Sequence, residues 1–128
     1  MSDIVLDASA ILAIIHGEPG ADRLTATLLA QAVCSTVNLA EVTAKLVSRG
    51  WSEAEAWEDA TSPLRASIPF ADEHAKVSAG LVQLTRPIGL SLGDRACLAL
   101  GLSLGAPVYT TNKSWTKLKL PIRVHVIR

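Results

Sequence analysis

The chain has 128 residues with twelve acidic and twelve basic side chains, and 49% of it is hydrophobic, so we expect one globular domain over residues 1–128 rather than a disordered chain. Its two cysteines, Cys34 and Cys97, are too few for a disulfide framework or a four-cysteine zinc site, which indicates a reduced, cytoplasmic protein. The longest uncharged stretch, 96–112, is broken by glycine and proline and is shorter than the roughly 20 apolar residues of a membrane span, so we expect no membrane association.

Short apolar runs that alternate with helical patterns organise the first half of the chain. They predict, in order, a strand at 4–6, a buried helix at 8–15, a helix at 21–30, a strand at 32–35 and a helix at 37–49. His16 and Gly17 end the first of these helices, and Gly50 ends the last.

The second half continues the alternation. It predicts a helix between the capping box at Ser52 and Pro63, a strand at 68–70, a helix at 72–85, a turn at 86–89, a helix from Ser91 to about Gly105, a strand at 107–110, a helical turn at 112–115 and a strand at 122–127. Pro69 cannot donate to a neighbouring strand, so strand 68–70 is expected away from the sheet centre. The whole pattern predicts an α/β fold, a mainly parallel sheet with helices on both faces, and a functional site beyond the carboxyl ends of its strands.

Asp7 follows the first strand directly and therefore falls at the edge of the sheet where such sites form. Two interpretations stay open for it. It is either a functional carboxylate or the cap of the next helix, where it would share free N–H groups with Ser9.

Asn38 and Glu41 lie three residues apart on one predicted helix and so share a face. The apolar residues Leu39, Val42 and Leu46 form a different face of that helix. Glu41 also precedes Lys45 by four residues, which is the spacing of an ordinary exposed ion pair. Taken alone, Glu41 is therefore expected on the surface.

Asp94 enters the first turn of a helix that is apolar on every side over 96–100. Burying a carboxylate there is costly unless a cation or N–H donors hold it. Ser91 and Asp94 together resemble a capping box, and capping is compatible with metal ligation. Three carboxylates from separate elements that meet at one sheet edge would form a site for Mg²⁺ or Mn²⁺.

Four segments in order resemble the successive motifs of PIN domains, most closely the VapC toxins of bacterial toxin–antitoxin modules. They are 4–10, the pair Asn38 and Glu41, 91–95, and 108–115. The resemblance implies a PIN-like α/β fold and a metal-dependent endoribonuclease that cuts RNA, such as transfer or ribosomal RNA, with Mg²⁺ or Mn²⁺. It also implies a homodimer that a cognate antitoxin silences.

The same resemblance assigns roles to residues of this chain. Asp7, Glu41 and Asp94 take the positions of the metal-binding catalytic acids. Ser9, Asn38 and Thr110 take the positions of polar side chains around them.

Asn112 departs from the family pattern, because it stands where the family usually has a fourth Asp. An amide oxygen accepts a hydrogen bond but brings no negative charge. Asn112 is therefore expected either as a polar group beside the acids or as the N-cap of the turn that follows. It also leaves an alternative function open, a PIN-fold module that binds RNA or antitoxin without cutting.

The charges of the chain are divided along its length. No acid follows Asp94, whereas Arg95, Lys113 and Lys117 and three further bases do. Arg95, Lys113 and Lys117 are candidates for contact with RNA phosphates, and a solvated basic edge is the competing interpretation. Trp51 and Trp57 are expected in the core. A phosphatase of the aspartyl-phosphate type is disfavoured, because Ser9 replaces its second Asp.

Overall fold

The computed structural model describes residues 2–128. Its strands are β1 Ile4–Leu6, β2 Ala32–Ser35, β3 Ala66–Ile68, β4 Val108–Thr110 and β5 Val124–Val126. Its α-helices are α1 Ala8–His16, α2 Ala26–Leu29, α3 Thr36–Ser48, α4 Glu53–Thr61, α5 Asp72–Gly80, α6 Val82–Thr85 and α7 Leu92–Leu104. Short 3-10 helices cover Ala21–Arg23, Arg86–Ile88 and Lys113–Lys117.

The five strands form one sheet in the order β3-β2-β1-β4-β5. Every neighbouring pair is parallel, with register pairs such as Val5↔Val33 between β1 and β2 and Val5↔Val108 between β1 and β4. The predicted α/β class with a parallel sheet is confirmed. Because β1 lies at the centre and the chain continues to β2 on one side and β4 on the other, the carboxyl end of β1 is a switch point, where open α/β sheets bind ligands.

Alternate side chains of β1 supply two separate hydrophobic cores. Ile4 and Leu6 pack on one face with apolar residues of α1, α3 and α4. Val5 faces the other side, where it joins residues of α7 and the fully buried Trp115. The sheet is therefore covered on both faces, as its continuous apolar strands require.

The structure corrects two helix predictions. The expected helix 21–30 is two short helices, because Thr25 accepts a hydrogen bond from Leu28 N at 3.3 Å and starts α2 afresh. The expected helix 72–85 ends at Gly80, a residue of low helix propensity, and α6 begins two residues later.

The strand predicted at 68–70 is wrong by two residues. β3 spans Ala66–Ile68 and pairs with β2 through Ser35↔Ile68, so Pro69 lies just past its end. Phe70 N then donates to Thr36 Oγ1 at 3.1 Å instead of to a strand. The prediction that this strand avoids the sheet centre is confirmed, since β3 is an edge strand.

Over residues 2–128, none of the helices has the length and apolar character that crossing a bilayer would take.

Candidate functional site

Asp7 follows β1 at the centre of the sheet and is only 4% exposed. One carboxylate oxygen, Oδ1, accepts hydrogen bonds from Ala10 N at 2.8 Å and Ser9 Oγ at 2.7 Å. The other, Oδ2, accepts from Thr110 Oγ1 at 2.6 Å. Asp7 therefore caps α1 and also lies in a polar cluster with Ser9 and Thr110, which joins the ends of β1 and β4.

Burial disfavours the charged form of the Asp7 carboxyl group. It raises the pKa of Asp7 from 3.8 to about 6, although the hydrogen bonds from Thr110, Ser9 and Ala10 act in the opposite direction. The negative charge of Asp94 adds to the increase. This carboxylate thus lies in a place where a cation would be strongly favoured.

Glu41 is half-buried, and its carboxylate lies against the first turn of α7. The buried amide of Asn38 donates from Nδ2 to Glu41 Oε1 at 3.0 Å and to Gly93 O at 2.9 Å. The expectation of an exposed Glu41–Lys45 pair is wrong, and the ion pairs within residues 2–128 do not include it. The reason is that α7 covers the face of α3 that the sequence pattern leaves polar.

Asp94 is half-buried at the start of α7 and forms the expected capping box. Its Oδ2 accepts from Ser91 N at 2.9 Å, while Ser91 Oγ accepts from Asp94 N at 3.2 Å. Capping uses only one of the two carboxylate oxygens. In the part of the chain that the structure describes, Asp94 Oδ1 and Glu41 Oε2 have no hydrogen-bond donor.

The three acids act electrostatically on one buried group, the thiol of Cys97. Burial raises the pKa of this thiol well above its ordinary value, and the charges of Asp7, Asp94 and Glu41 add to the increase together with Cys34. Both cysteines are free and buried. The sequence does not indicate that the acids act on Cys97, because this residue resembles the small apolar residues around it on α7.

We tested whether these residues fit a divalent metal ion. Three carboxylates are the donor set that Mg²⁺ and Mn²⁺ prefer, and Asn38 Oδ1 is a buried acceptor with no partner. As the side chains stand, however, no three Asp, Glu, His or Cys residues among 2–128 are arranged to hold an ion. The residues fit a metal in their chemistry, while several of their oxygens are engaged in capping and in the polar cluster.

Asn112 is the N-cap of the last 3-10 helix, as one of its two interpretations predicts. Its Oδ1 accepts from Ser114 N at 3.0 Å and from Ser114 Oγ at 2.7 Å. Its backbone N–H donates to Thr110 Oγ1 at 3.1 Å. The side chain is thus occupied by capping, and the residue contacts the Asp7 cluster through its backbone.

The three basic candidates lie on two different elements. Lys113 and Lys117 are exposed on the 3-10 helix that follows β4. Arg95 lies on α7 and donates to Ser78 O of α5 at 3.1 Å. Arg86, which no sequence pattern marks, lines the same surface groove of about 210 Å³ as Arg95.

The tryptophan prediction is wrong for one of the two residues. Trp51 is half-buried and donates from Nε1 to Asp59 Oδ2 at 2.8 Å. Trp57 is 54% exposed, because the buried face of α4 consists of Ala56 and Ala60.

Comparison with known proteins assigns the fold to a family. Residues 4–120 match the PIN domain family, and the chain belongs to it. No curated protein sequence matches the chain.

Several solved structures of similar fold come from toxin–antitoxin systems. DNA-bound VapBC from Salmonella typhimurium is 16% identical with a TM-score of 0.77 and 98% of each chain covered. DNA-bound VapBC2 from Rickettsia felis is 18% identical with a TM-score of 0.72, covering 95% of this chain and 96% of that one. VapC20 from Mycobacterium tuberculosis, described as a toxin that cleaves the sarcin-ricin loop, is 17% identical with a TM-score of 0.70, covering 90% of this chain and 94% of that one. These similarities show the shared fold.

Proposed function

We propose that this PIN domain is a metal-dependent endoribonuclease and the toxin component of a toxin–antitoxin module. The observation that carries the proposal is the buried Asp7 at the end of the central strand, within electrostatic reach of Asp94. Glu41, held beside Gly93, completes the group of acids. A buried carboxylate with further acids around it is destabilising on its own and favourable around a divalent ion.

Asp7, Glu41 and Asp94 would hold Mg²⁺ or Mn²⁺, which supplies an activated water and stabilises charge on the scissile phosphate. Glu41 Oε2 and Asp94 Oδ1 are the carboxylate oxygens that protein donors leave free for this purpose. Mg²⁺ needs only one or two direct carboxylates, because waters and substrate phosphate oxygens complete its coordination.

The remaining residues orient the acids and the RNA. Thr110 and Ser9 fix the Asp7 carboxylate through hydrogen bonds to its two oxygens. Lys113 and Lys117, which are exposed on the 3-10 helix that follows β4, would contact phosphates of the RNA. Arg95, on α7, would also contact phosphates of the RNA.

The partner proposal rests on the solved structures, which contain VapB antitoxins together with VapC toxins. We infer a cognate antitoxin for this chain as well, and the resemblance of its motifs to VapC toxins adds a homodimer to the proposal. Structured RNA is the proposed substrate class, since VapC20 is described as cleaving the sarcin-ricin loop.

A second candidate function is a PIN module that binds RNA or antitoxin without cutting. The side chain of Asn112 favours it, because a neutral amide used for capping replaces the family's fourth acid and supplies no charge for a second metal ion.

Incubation of the purified chain with total RNA, in Mg²⁺ or in EDTA, tests the proposal. We expect cleavage that EDTA abolishes. Asp7→Ala and Asp94→Asn should each reduce it by more than the roughly 10–100-fold lost when only the support of a metal ligand is removed. Glu53→Gln, an exposed acid on α4, is the matched control and should cleave normally.

Two outcomes would reject the nuclease proposal. Cleavage that is equal in the wild type and the Asp7→Ala variant would come from a contaminant. RNA binding without any cleavage in Mg²⁺ or Mn²⁺ would favour the non-cutting module.

A further inference from the structure

Gly93 lies in the first turn of α7, next to Asp94, and is buried. A Cβ atom built on this residue would lie 2.6 Å from Glu41 Cδ and 2.7 Å from Oε2, and closer still to Oε1. Such distances are far below van der Waals contact. The absent side chain therefore leaves the recess that the Glu41 carboxylate fills.

Backbone conformation gives no reason for a glycine at this position. Glycines with positive φ occur elsewhere in the chain, at 17, 20, 50, 89 and 105, and Gly93 is not among them. Within a helix, glycine is less favourable than alanine. The space needed by Glu41 is thus the feature of the structure that requires glycine here.

Asn38 fixes the same contact from the other side. Its single Nδ2 group donates both to Glu41 Oε1 and to the carbonyl of Gly93, which joins the acid on α3 to the turn that carries Asp94. The orientation of the amide is well determined, because a flipped amide would place Oδ1 against two acceptors. Its own Oδ1 remains buried without a partner.

We propose that Gly93 is a positioning residue: the missing side chain at 93, together with the Asn38 bridge, sets the location of the Glu41 carboxylate relative to Asp94. The inference deepens the proposed metal-dependent nuclease and rests on it for its functional consequence. Gly93 itself makes no contact with substrate in this proposal. Any side chain at this position displaces Glu41 from the place where it would share an ion with Asp94.

The positioning role of Gly93 can be distinguished from a contribution of this residue to the stability of the fold. The atoms that a Cβ at 93 would displace are the end of a flexible Glu side chain and not backbone. Gly93→Ala should therefore leave the melting temperature in EDTA unchanged or raise it, since alanine favours the helix. Its affinity for Mn²⁺, measured by calorimetry, should fall at least about tenfold.

Gly80→Ala is the matched control, because a Cβ on this helical glycine of α5 meets no atom within 4 Å. It should bind Mn²⁺ like the wild type. Glu41→Asp tests the mechanism by rescue. The shorter side chain withdraws from the added methyl group, so Glu41→Asp should weaken binding in the wild type but strengthen it in the Gly93→Ala background.

A measurement without metal keeps this inference distinct from the proposed function. The side-chain amide resonance of Asn38 in EDTA should shift in Gly93→Ala and stay in place in Gly80→Ala. A wild type that binds no Mn²⁺ would reject the metal site, while the amide resonance would still report whether Gly93 positions Glu41. An unshifted resonance, or wild-type Mn²⁺ affinity in Gly93→Ala, would overturn the inference.

Discussion

At the scale of single residues, the Asp7 carboxylate is a buried charge that its hydrogen bonds stabilise only in part. It caps α1 through Ala10 N and accepts hydrogen bonds from Ser9 and Thr110. These donors reduce the cost of burying a charge, but the pKa of about 6 shows that burial outweighs them. The folded chain thus retains a destabilising charge at neutral pH, which is typical of sites kept for function rather than for stability.

This imbalance predicts a pH-dependent stability in EDTA. Because the pKa of Asp7 is higher in the folded chain (about 6) than its model value of 3.8, the folded state binds the proton more tightly. The stability that this proton contributes is fully present below about pH 4 and is lost as the pH rises through 6. The loss in the free energy of unfolding is roughly 3 kcal/mol at most. Asp7→Asn should therefore be the more stable protein at pH 7.

Urea unfolding of both proteins at pH 4 and pH 7 measures the effect. The difference between them should be large at pH 7 and small at pH 4. A wild type whose stability relative to Asp7→Asn does not fall between pH 4 and pH 7 in EDTA would contradict it, because the pH dependence would then require a folded-state pKa no higher than 3.8.

At the scale of elements, α7 brings most of the site together. Its first turn carries Gly93 and Asp94, and its next turn carries the buried Cys97. Ser91 determines where this helix begins, since it forms the capping box with Asp94. The position of Asp94 therefore depends on a local signal, whereas that of Glu41 depends on how α3 packs against α7.

Ser91→Ala should lower the free energy of unfolding by about 1 kcal/mol, because the free N–H of Asp94 loses its acceptor. Ser91→Thr keeps the hydroxyl group and is the control. Chemical denaturation of the three proteins at one pH provides the comparison. Equal stability of Ser91→Ala and the wild type would show that water replaces the cap at no cost.

At the scale of the whole molecule, the balanced net charge conceals an acidic site beside a basic end. Asp7 follows β1 at the carboxyl edge of the sheet, and Lys113 and Lys117 follow β4 at that same edge. This arrangement suits a polyanion that must approach a group of carboxylates, since the bases offset repulsion between the acids and the phosphates.

We expect Lys113→Gln with Lys117→Gln to weaken RNA binding to a similar extent for all sequences. In the Asp7→Asn background in EDTA, the slope of log affinity against log salt should decrease by about 0.7 per lost phosphate contact. Arg65→Gln removes a charge that is already paired with Asp3 and serves as the control. An unchanged slope in the double lysine variant would assign these residues to the solvated surface.

Much of the fold follows from local patterns in the sequence. The apolar runs of β1 and β2, the capping serines and the stop at Gly105 predict the alternation of strands and helices. The predicted helix boundaries are wrong where another local signal starts or ends a helix, as at Thr25 and Gly80. The capping role of Asp94 is also local, and the spacing from Ser91 predicts it.

The sequence by itself therefore determined most of the elements, their order and the places of Asp7 and Asp94 at element ends, because caps, turns and apolar periodicity act over a few residues. Only the tertiary structure decided what α3 and α7 do to each other. Glu41 is expected on the surface when its helix is taken alone, and it becomes half-buried because Gly93, 52 residues later in the chain, leaves room for it. Contacts across such separations depend on how the helices pack on the sheet, which no local pattern encodes.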